Sequence, residues 1–254
     1  MTLIKEGRTM IAGFSPIVRT SPQMTPFNDE RLWRRYRFLK EAMIRKRSST
    51  INQLASSDKE RRAYYRFMSN EKVTISELMG VSGGKDCADY SGKHILAIGD
   101  TSEISLKQQL SHIKDAARVG LLSDHKTRGF LVHAQMLLDA QSGHGLCLSS
   151  LLLWNRPQKG NKSTVTKPPY EERESYKWER GIQDSELLTS SAQMVTYVFD
   201  QEADIFDLYS GIKTMGGNRH LIVRCHYNRK VETTEGPMSV WDFMEPLPFS
   251  IAIV

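Results

Sequence analysis

The sequence predicts an α/β protein: a mixed β-sheet covered by helices and preceded by a small all-helical region. Two patterns carry that prediction. Apolar residues recur at three- and four-residue intervals through roughly the first 80 residues, whereas the remainder alternates short β-rich apolar runs with charged helical stretches and turns. Of 254 residues, 39% are hydrophobic and 25% charged, enough apolar material for a sizeable core and too much for a mostly disordered chain. No apolar run approaches the roughly 18 residues that argue for a membrane helix, and the N-terminus lacks a basic-then-apolar leader with a cleavage site. Cys87, Cys147 and Cys225 are an odd, scattered set without zinc-type spacing; they read as reduced thiols, so the expected setting is cytoplasmic.

Residues 1–26 hold Pro16, Pro22 and Pro26 among Ser and Thr and show no periodicity, a loosely held lead-in. From Asn28 the pattern turns helical, with Leu32, Trp33, Tyr36, Leu39 and Met43 on one face. Ser57-Asp58-Lys59-Glu60 is a capping box that opens a second helix running to about Asn70, and Thr74-Ile75-Ser76-Glu77 opens a third. Residues 27–80 are therefore one helical domain, and residues 81–93 a turn-rich linker. In the core, residues 94–230, the runs 94–100, 130–138, 146–154, 195–200 and 220–224 read as strands, and 171–188 and 205–212 as helices. Residues 231–254 would begin a further β-region.

The net charge of +6 is unevenly placed. Residues 1–80 carry 16 Lys/Arg against 8 Asp/Glu, and residues 81–254 carry 19 against 21. A basic head on a mildly acidic body is the layout of a polyanion-binding module joined to a separate core. Arg34, Arg35 and Arg37 on the first helix and Arg61, Arg62 and Arg66 on the second are the candidate phosphate contacts.

Asp100 and Asp200 each follow an apolar strand-like run. Either alone reads as a turn or cap residue. Two at equivalent positions, in strands able to lie side by side, could converge at a sheet edge and hold divalent ions about 4 Å apart, the arrangement that activates an attacking oxygen and stabilises a leaving one in phosphodiester chemistry. Glu202 and Asp204 follow closely and favour a helix N-terminus.

Five blocks follow one another along the chain: Ile98-Gly99-Asp100-Thr101-Ser102, Gly129-Phe130-Leu131-Val132-His133, Trp154-Asn155-Arg156-Pro157, Glu174-Ser175-Tyr176-Lys177-Trp178 and Asp200-Gln201-Glu202-Ala203-Asp204-Ile205. In that order they resemble bacterial cut-and-paste DDE transposases, with the nearest likeness to the insertion-sequence-four family of the type encoded by transposon Tn-five. Ala63-Tyr64-Tyr65-Arg66-Phe67-Met68-Ser69-Asn70 resembles the family's N-terminal element that binds transposon ends, which adds Tyr65 and Asn70 to the candidate DNA contacts. The resemblance spans about residues 28–230 and implies an RNase H-like core in which Asp100 and Asp200 are the first two catalytic acids and Mg²⁺ or Mn²⁺ ligands, with Arg224 near DNA. It also implies duplex DNA as partner, both transposon ends and target; nicking, hairpin formation at the end, and joining; and homodimers among full-length members.

One departure matters. The family's third acid is a Glu in a Tyr-x₂-Arg-x₃-Glu-x₆-Lys helix; here Tyr170 and Arg173 begin that spacing, but the Glu position holds Lys177, and no other Tyr comes closer. The chain stops at Ser250-Ile251-Ala252-Ile253-Val254, in what would be the early strands of an inserted β-domain. The expectation is a transposase front half without the third acid or the dimerising C-terminal region, and the competing expectation is a fragment that binds DNA, or regulates transposition, without cutting. A remote alternative from another enzyme class rests on Ser82-Gly83-Gly84-Lys85-Asp86-Cys87, which resembles the pyrophosphate loop of ATP-dependent adenylating enzymes. Such loops follow a buried strand, and here a helix cap precedes; nor is it a Walker loop, since Met79 holds the first Gly position.

Overall fold

In the computed structural model the first helix, α1 (Glu30–Lys46), starts where Asp29 caps it, its carboxylate accepting from the N–H groups of Arg31 and Leu32 at 2.9 and 3.4 Å. The structure describes residues 12–14, 26–82, 89–113, 115–156 and 169–246. A short α2 (Ile51–Leu54), too brief to show periodicity, leads to α3 (Asp58–Met68). The capping box forms there with one shift: the Ser57 hydroxyl accepts from Glu60 N–H at 3.2 Å, while the Glu60 carboxylate reaches the N–H of Ser56 at 2.7 Å. Helix α4 (Ile75–Ser82) begins with Thr74 accepting from Glu77 N–H; the Glu77 carboxylate takes the N–H of Phe27 at 3.0 Å, which ties the start of the helical region to its end. Phe27 (φ 62°) is held in the left-handed region by packing between the rings of Tyr36 and Phe67. With Leu39, Ala42, Leu54 and Tyr64 it forms the helical core, and the predicted face of Leu32, Trp33, Tyr36 and Met43 packs against it. Full burial of such side chains contributes about 1.5–3 kcal/mol each.

The second unit is a mixed sheet: β1 (Ala12–Phe14), β2 (His94–Ser105), β3 (Gly129–Asp139), β4 (Gly145–Trp154), β5 (Met194–Phe199) and β6 (Arg219–Val223), in the order β1-β4-β3-β2-β5-β6. The β2–β5 and β5–β6 pairings are parallel and the others antiparallel. Odd-numbered residues of β5, of β3 up to Leu137, and of β2 as far as Gly99 are buried on the face that carries α5 (Lys177–Thr189) and α6 (Phe206–Lys213), where Ile95, Ala97, Leu137, Val195, Tyr197 and Phe199 join Trp178, Ile182 and Leu208. Even-numbered residues line the other face, on which Ile98, Ile104, Met136 and Ile222 stay 38–57% exposed. The helical unit meets that face at the β3–β4 end, where Met43, Phe67 and Leu78 line an apolar cleft with Met136, Leu146 and Leu148. A β7 (Lys230–Thr233)–β8 (Gly236–Ser239) hairpin and a short α7 (Val240–Met244) follow. Helices first and a helix-covered mixed sheet second match the α/β class expected and are consistent with an RNase H-like core. Among the described residues no helix is long and apolar enough to cross a membrane.

Three sequence expectations need correction. The lead-in contributes β1, an edge strand set by pairing with Leu151–Leu153 and not by any pattern of its own. The stretch predicted as one helix from Glu171 opens with 3₁₀ turns at Tyr170–Glu172 and Glu174–Tyr176 before α5 begins. Asp100 does not end its strand: β2 runs on through Ser105, because β3 continues to pair with it as far as Ser105–Gly129. Residues 83–88, with most of the Gly-rich loop and Cys87, lie outside the described residues, as do Lys114, Pro157 and the end at Ser250–Val254. The segment leading into the Gly-rich loop is helix α4, which removes the buried strand that the adenylating-enzyme reading requires.

Between α5 and the sheet lies a buried polar seam. Gln135 donates to the Ser185 hydroxyl (2.6 Å), Ser185 to Ser149 (2.8 Å), and Ser150 to Asp184 (2.7 Å). Gly181 permits this close approach, since a Cβ there would overlap the Gln135 amide oxygen. His133, fully buried, shares a hydrogen bond with Thr101 at 3.1 Å and stands edge-on to Trp178 at 4.5 Å. Burial, and then the Lys177 charge, push its imidazole down to about 3, so it is neutral in the folded protein. In the unfolded chain it protonates near pH 6.5. Its contribution to stability is therefore complete above about pH 6.5 and is lost progressively as pH falls towards 3. Denaturant unfolding at pH 7 and pH 5 should show the native chain losing about 2 kcal/mol more than His133→Gln over that interval; equal losses would place the acid sensitivity elsewhere.

Candidate nucleic-acid interface and carboxylate site

On the helical unit, Arg34 and Arg37 of α1 and Arg62, Tyr65 and Arg66 of α3 are exposed, while Tyr64 and Phe67 of the same helix face the core. Tyr65 is 52% exposed, a large aromatic left in water beside Arg66. The other candidates have structural tasks. The guanidinium of Arg35 sits 6.0 Å over the Tyr64 ring, Arg61 pairs with Asp58 at 2.9 Å, and the Asn70 side chain accepts from Lys72 N–H to close the turn after α3. Lys46 is also committed, donating to the Gln53 and Leu54 carbonyls at the end of α2. The uncommitted arginines are long, mobile cations of the kind that contact phosphates without reading bases.

The sheet brings the predicted acids to one level. Parallel pairing of β2 with β5 runs from His94–Met194 to Ile98–Val198, and pairing of β5 with β6 ends at Phe199–Val223. Asp100 and Asp200 each lie two residues beyond Ile98 and Val198, and Arg224 follows Val223 with its N–H on the Phe199 carbonyl at 3.3 Å. All three continue the parity of Ile98, Val198 and Ile222, away from α5. All three are exposed. The Asp200 carboxylate accepts from Glu202 N–H at 3.0 Å, capping the 3₁₀ turn Gln201–Ala203.

The neighbouring acids are already engaged. Glu202 holds the ammonium of Lys177 at 2.8 Å; that ammonium is nearly buried and lies 5.5 and 5.3 Å over the Trp154 and Trp178 rings. Asp204, buried, accepts from the N–H groups of His226 and Tyr227 (both 2.8 Å), from Arg229 Nε (2.9 Å) and from the Tyr209 hydroxyl (3.1 Å). Arg156 grips Glu174 with two hydrogen bonds, at 2.9 and 2.7 Å, and reaches Glu103 at 3.6 Å, joining two of the sequence blocks quoted above. Sequence reading named those residues without pairing them, and nothing in their spacing shows who meets whom. Arg229 carried no sequence signal at all.

Among the described residues no group of three His, Cys, Asp or Glu side chains could hold a metal ion. Mg²⁺ is commonly bound by one or two carboxylates, its remaining positions filled by water and substrate phosphate, and the oxygen donors of Asp100 and Asp200 are of the type it takes.

Asp204 ties the turn after Asp200 to the loop after Arg224. Burial would raise its carboxyl, but the hydrogen bonds from Tyr227, His226, Arg229 and Tyr209 outweigh that and hold it down at about 2. Asp204→Ala should cost about 3 kcal/mol in denaturant unfolding at pH 7, since it leaves the Arg229 Nε and two N–H groups unpartnered while Arg229 keeps only the Asp204 carbonyl. Because the folded carboxyl is depressed, the native chain's advantage over this variant is full above about pH 4 and shrinks as pH falls towards 2. A gap independent of pH would refute this account of the clamp.

Residues 20–73 match the transposase DNA-binding family, a span that runs from the lead-in to the turn before α4. The match supports DNA as the partner of the basic helical unit and a transposase as the kind of protein that carries it.

Proposed function

We propose that this chain is a transposase of the DDE type whose helical unit binds transposon ends and whose sheet presents the first two catalytic acids, Asp100 and Asp200. The observation that carries this reading is the shared level of Asp100, Asp200 and Arg224 across three parallel strands, in a chain whose N-terminal helices match a transposase DNA-binding family. In it, Arg34, Arg37, Arg62 and Arg66 hold the duplex backbone, Arg224 draws a phosphate to the sheet end, and the two carboxylates are the divalent-ion ligands. A bound Mg²⁺ or Mn²⁺ would supply charge neutralisation at the phosphate and activation of the attacking oxygen.

A second reading, DNA binding without efficient cutting, is favoured by one specific feature. No Tyr here keeps the family's Tyr/Arg/Glu/Lys spacing, and the nearby Glu202 and Asp204 are bound to Lys177 and Arg229. A third acid for this site has to reach the level of Asp100 and Asp200, and a misplaced substitute costs about 10²-fold in rate.

Two measurements separate the readings. Labelled end-containing duplex should bind the chain with affinity that falls steeply with salt, and reversing Arg34, Arg35 and Arg37 to Glu should weaken binding at least about tenfold and flatten the salt dependence. Unchanged affinity would move the interface elsewhere. With Mn²⁺ the chain alone should nick weakly at most and form no hairpins, weak nicking should vanish in Asp100→Asn, and a separately supplied polypeptide carrying the Tyr/Arg/Glu/Lys helix should restore cleavage. Efficient hairpin formation by the chain alone would mean that an acid within residues 201–254 fills the third place.

A further inference from the structure

We infer that the connection between β2 and β3, at its described residues 106–113 and 115–128, is a second contact surface for the duplex backbone, separate from the helical unit and about half a helical turn from the carboxylates. The inference rests on the DNA-binding reading above. It begins with the length of β2. Pairing to β5 ends near Asp100, yet β2 and β3 run on together as a ribbon to Ser105–Gly129, with β4 still alongside β3 as far as Leu131–Trp154. Five residues of antiparallel strand reach about 17 Å beyond Asp100. At about 3.4 Å per nucleotide along a strand, that is about five base pairs of duplex.

The tip of this ribbon is braced from within. Arg128 donates to the carbonyls of Ala117 and Val119 (3.1 and 2.5 Å), and the Asn155 side chain accepts from Gly120 N–H (2.5 Å) and donates to the Arg118 carbonyl (2.8 Å). Gly120 lies so close to the strand end that a Cβ would overlap the Arg156 carbonyl oxygen. Two of the nearby acids are exposed but engaged by the tip's own groups. Asp124 accepts from the N–H groups of Lys126 and Thr127 (2.9 and 2.8 Å) and from the Thr127 hydroxyl (2.6 Å); Glu103 accepts from Ser123 N–H at 2.8 Å and faces Arg156. Lys107 and Lys126 are exposed, and no hydrogen bond or ion pair holds either ammonium among the described residues, although the Lys126 charge lies near enough to Asp124 to help lower its carboxyl; Arg118 meets Asp115 at 4.0 Å. A tip braced by its own hydrogen bonds, whose nearby acids are engaged by its turns and whose ammonium groups stand in solvent, suits a regular phosphate array. Its place past the carboxylate level makes that array the flank of the same duplex.

The full chain with Lys107→Gln and Lys126→Gln tests this, against Lys93→Gln and Lys213→Gln, which remove the same charge at exposed positions elsewhere. Binding to a 40-base-pair duplex is followed from 50 to 300 mM salt, with hydroxyl-radical footprints. The ribbon variant should bind about tenfold more weakly, show a slope of log affinity against log salt shallower by about 1.8, and lose one patch of backbone protection. The control pair should change neither slope nor footprint. Ribbon and control variants that behave alike would overturn the ribbon contact while leaving DNA binding by the helical unit in place. A native chain that binds no duplex at 50 mM salt would overturn both.

Discussion

The parallel seam between β2 and β5 is the constraint on which the candidate site depends. Five residue pairs, His94–Met194 to Ile98–Val198, fix the register, and a slip of one residue would send one of the two carboxylates to the opposite face. Burial holds that register. Ile95, Ala97, Val195, Tyr197 and Phe199 all lie under Trp178, Ile182 and Leu208, and the Tyr197 hydroxyl reaches Glu186, which also receives two hydrogen bonds from Arg219. Shifting the seam would expose that whole apolar set and break a partly buried ion pair.

The two carboxylates arrive at the same level by different routes. Beyond Val198, β5 ends because Asp200 folds back to cap the Gln201–Ala203 turn, and Asp204 anchors that turn to the loop after β6. β2 meets no such stop, because β3 still offers it a ladder. One carboxylate therefore sits within a strand and the other on the first residue past one. The same difference leaves β2 and β3 projecting past the end of β5.

Charge at this corner is organised by burial more than by number. Lys177 is a nearly buried ammonium, and such a group must find a carboxylate or pay heavily in lost hydration; Glu202 and two indole faces satisfy it. That pairing draws Glu202 to the α5 side of the sheet, whereas Asp100 and Asp200 continue the parity of the opposite face. The helical unit follows the same economy. Its large positive excess includes cations consumed by structure, such as Arg35 over Tyr64 and Lys46 at the end of α2, and the exposed remainder is what a phosphate surface could meet.

Local chemistry made much of this protein legible in its sequence. Periodic apolar residues, capping boxes and β-rich runs need only neighbours a few residues apart, so the helices around Leu39 and Tyr64, the five core strands and the positions of Asp100 and Asp200 could be read directly, as could the basic head. What needed the tertiary structure were contacts between residues far apart in the chain. β1 exists only because Leu151–Leu153 offers it a ladder, and the polar second half of β2, Thr101–Ser105, is strand only because β3 lies beside it. Lys177 finding Glu202, Arg156 finding Glu174 and Arg229 finding Asp204 are pairings 18 to 25 residues apart. Sequence spacing encodes which residues share a face of one element; only packing decides which faces meet, because that choice is made by burial summed over the whole core.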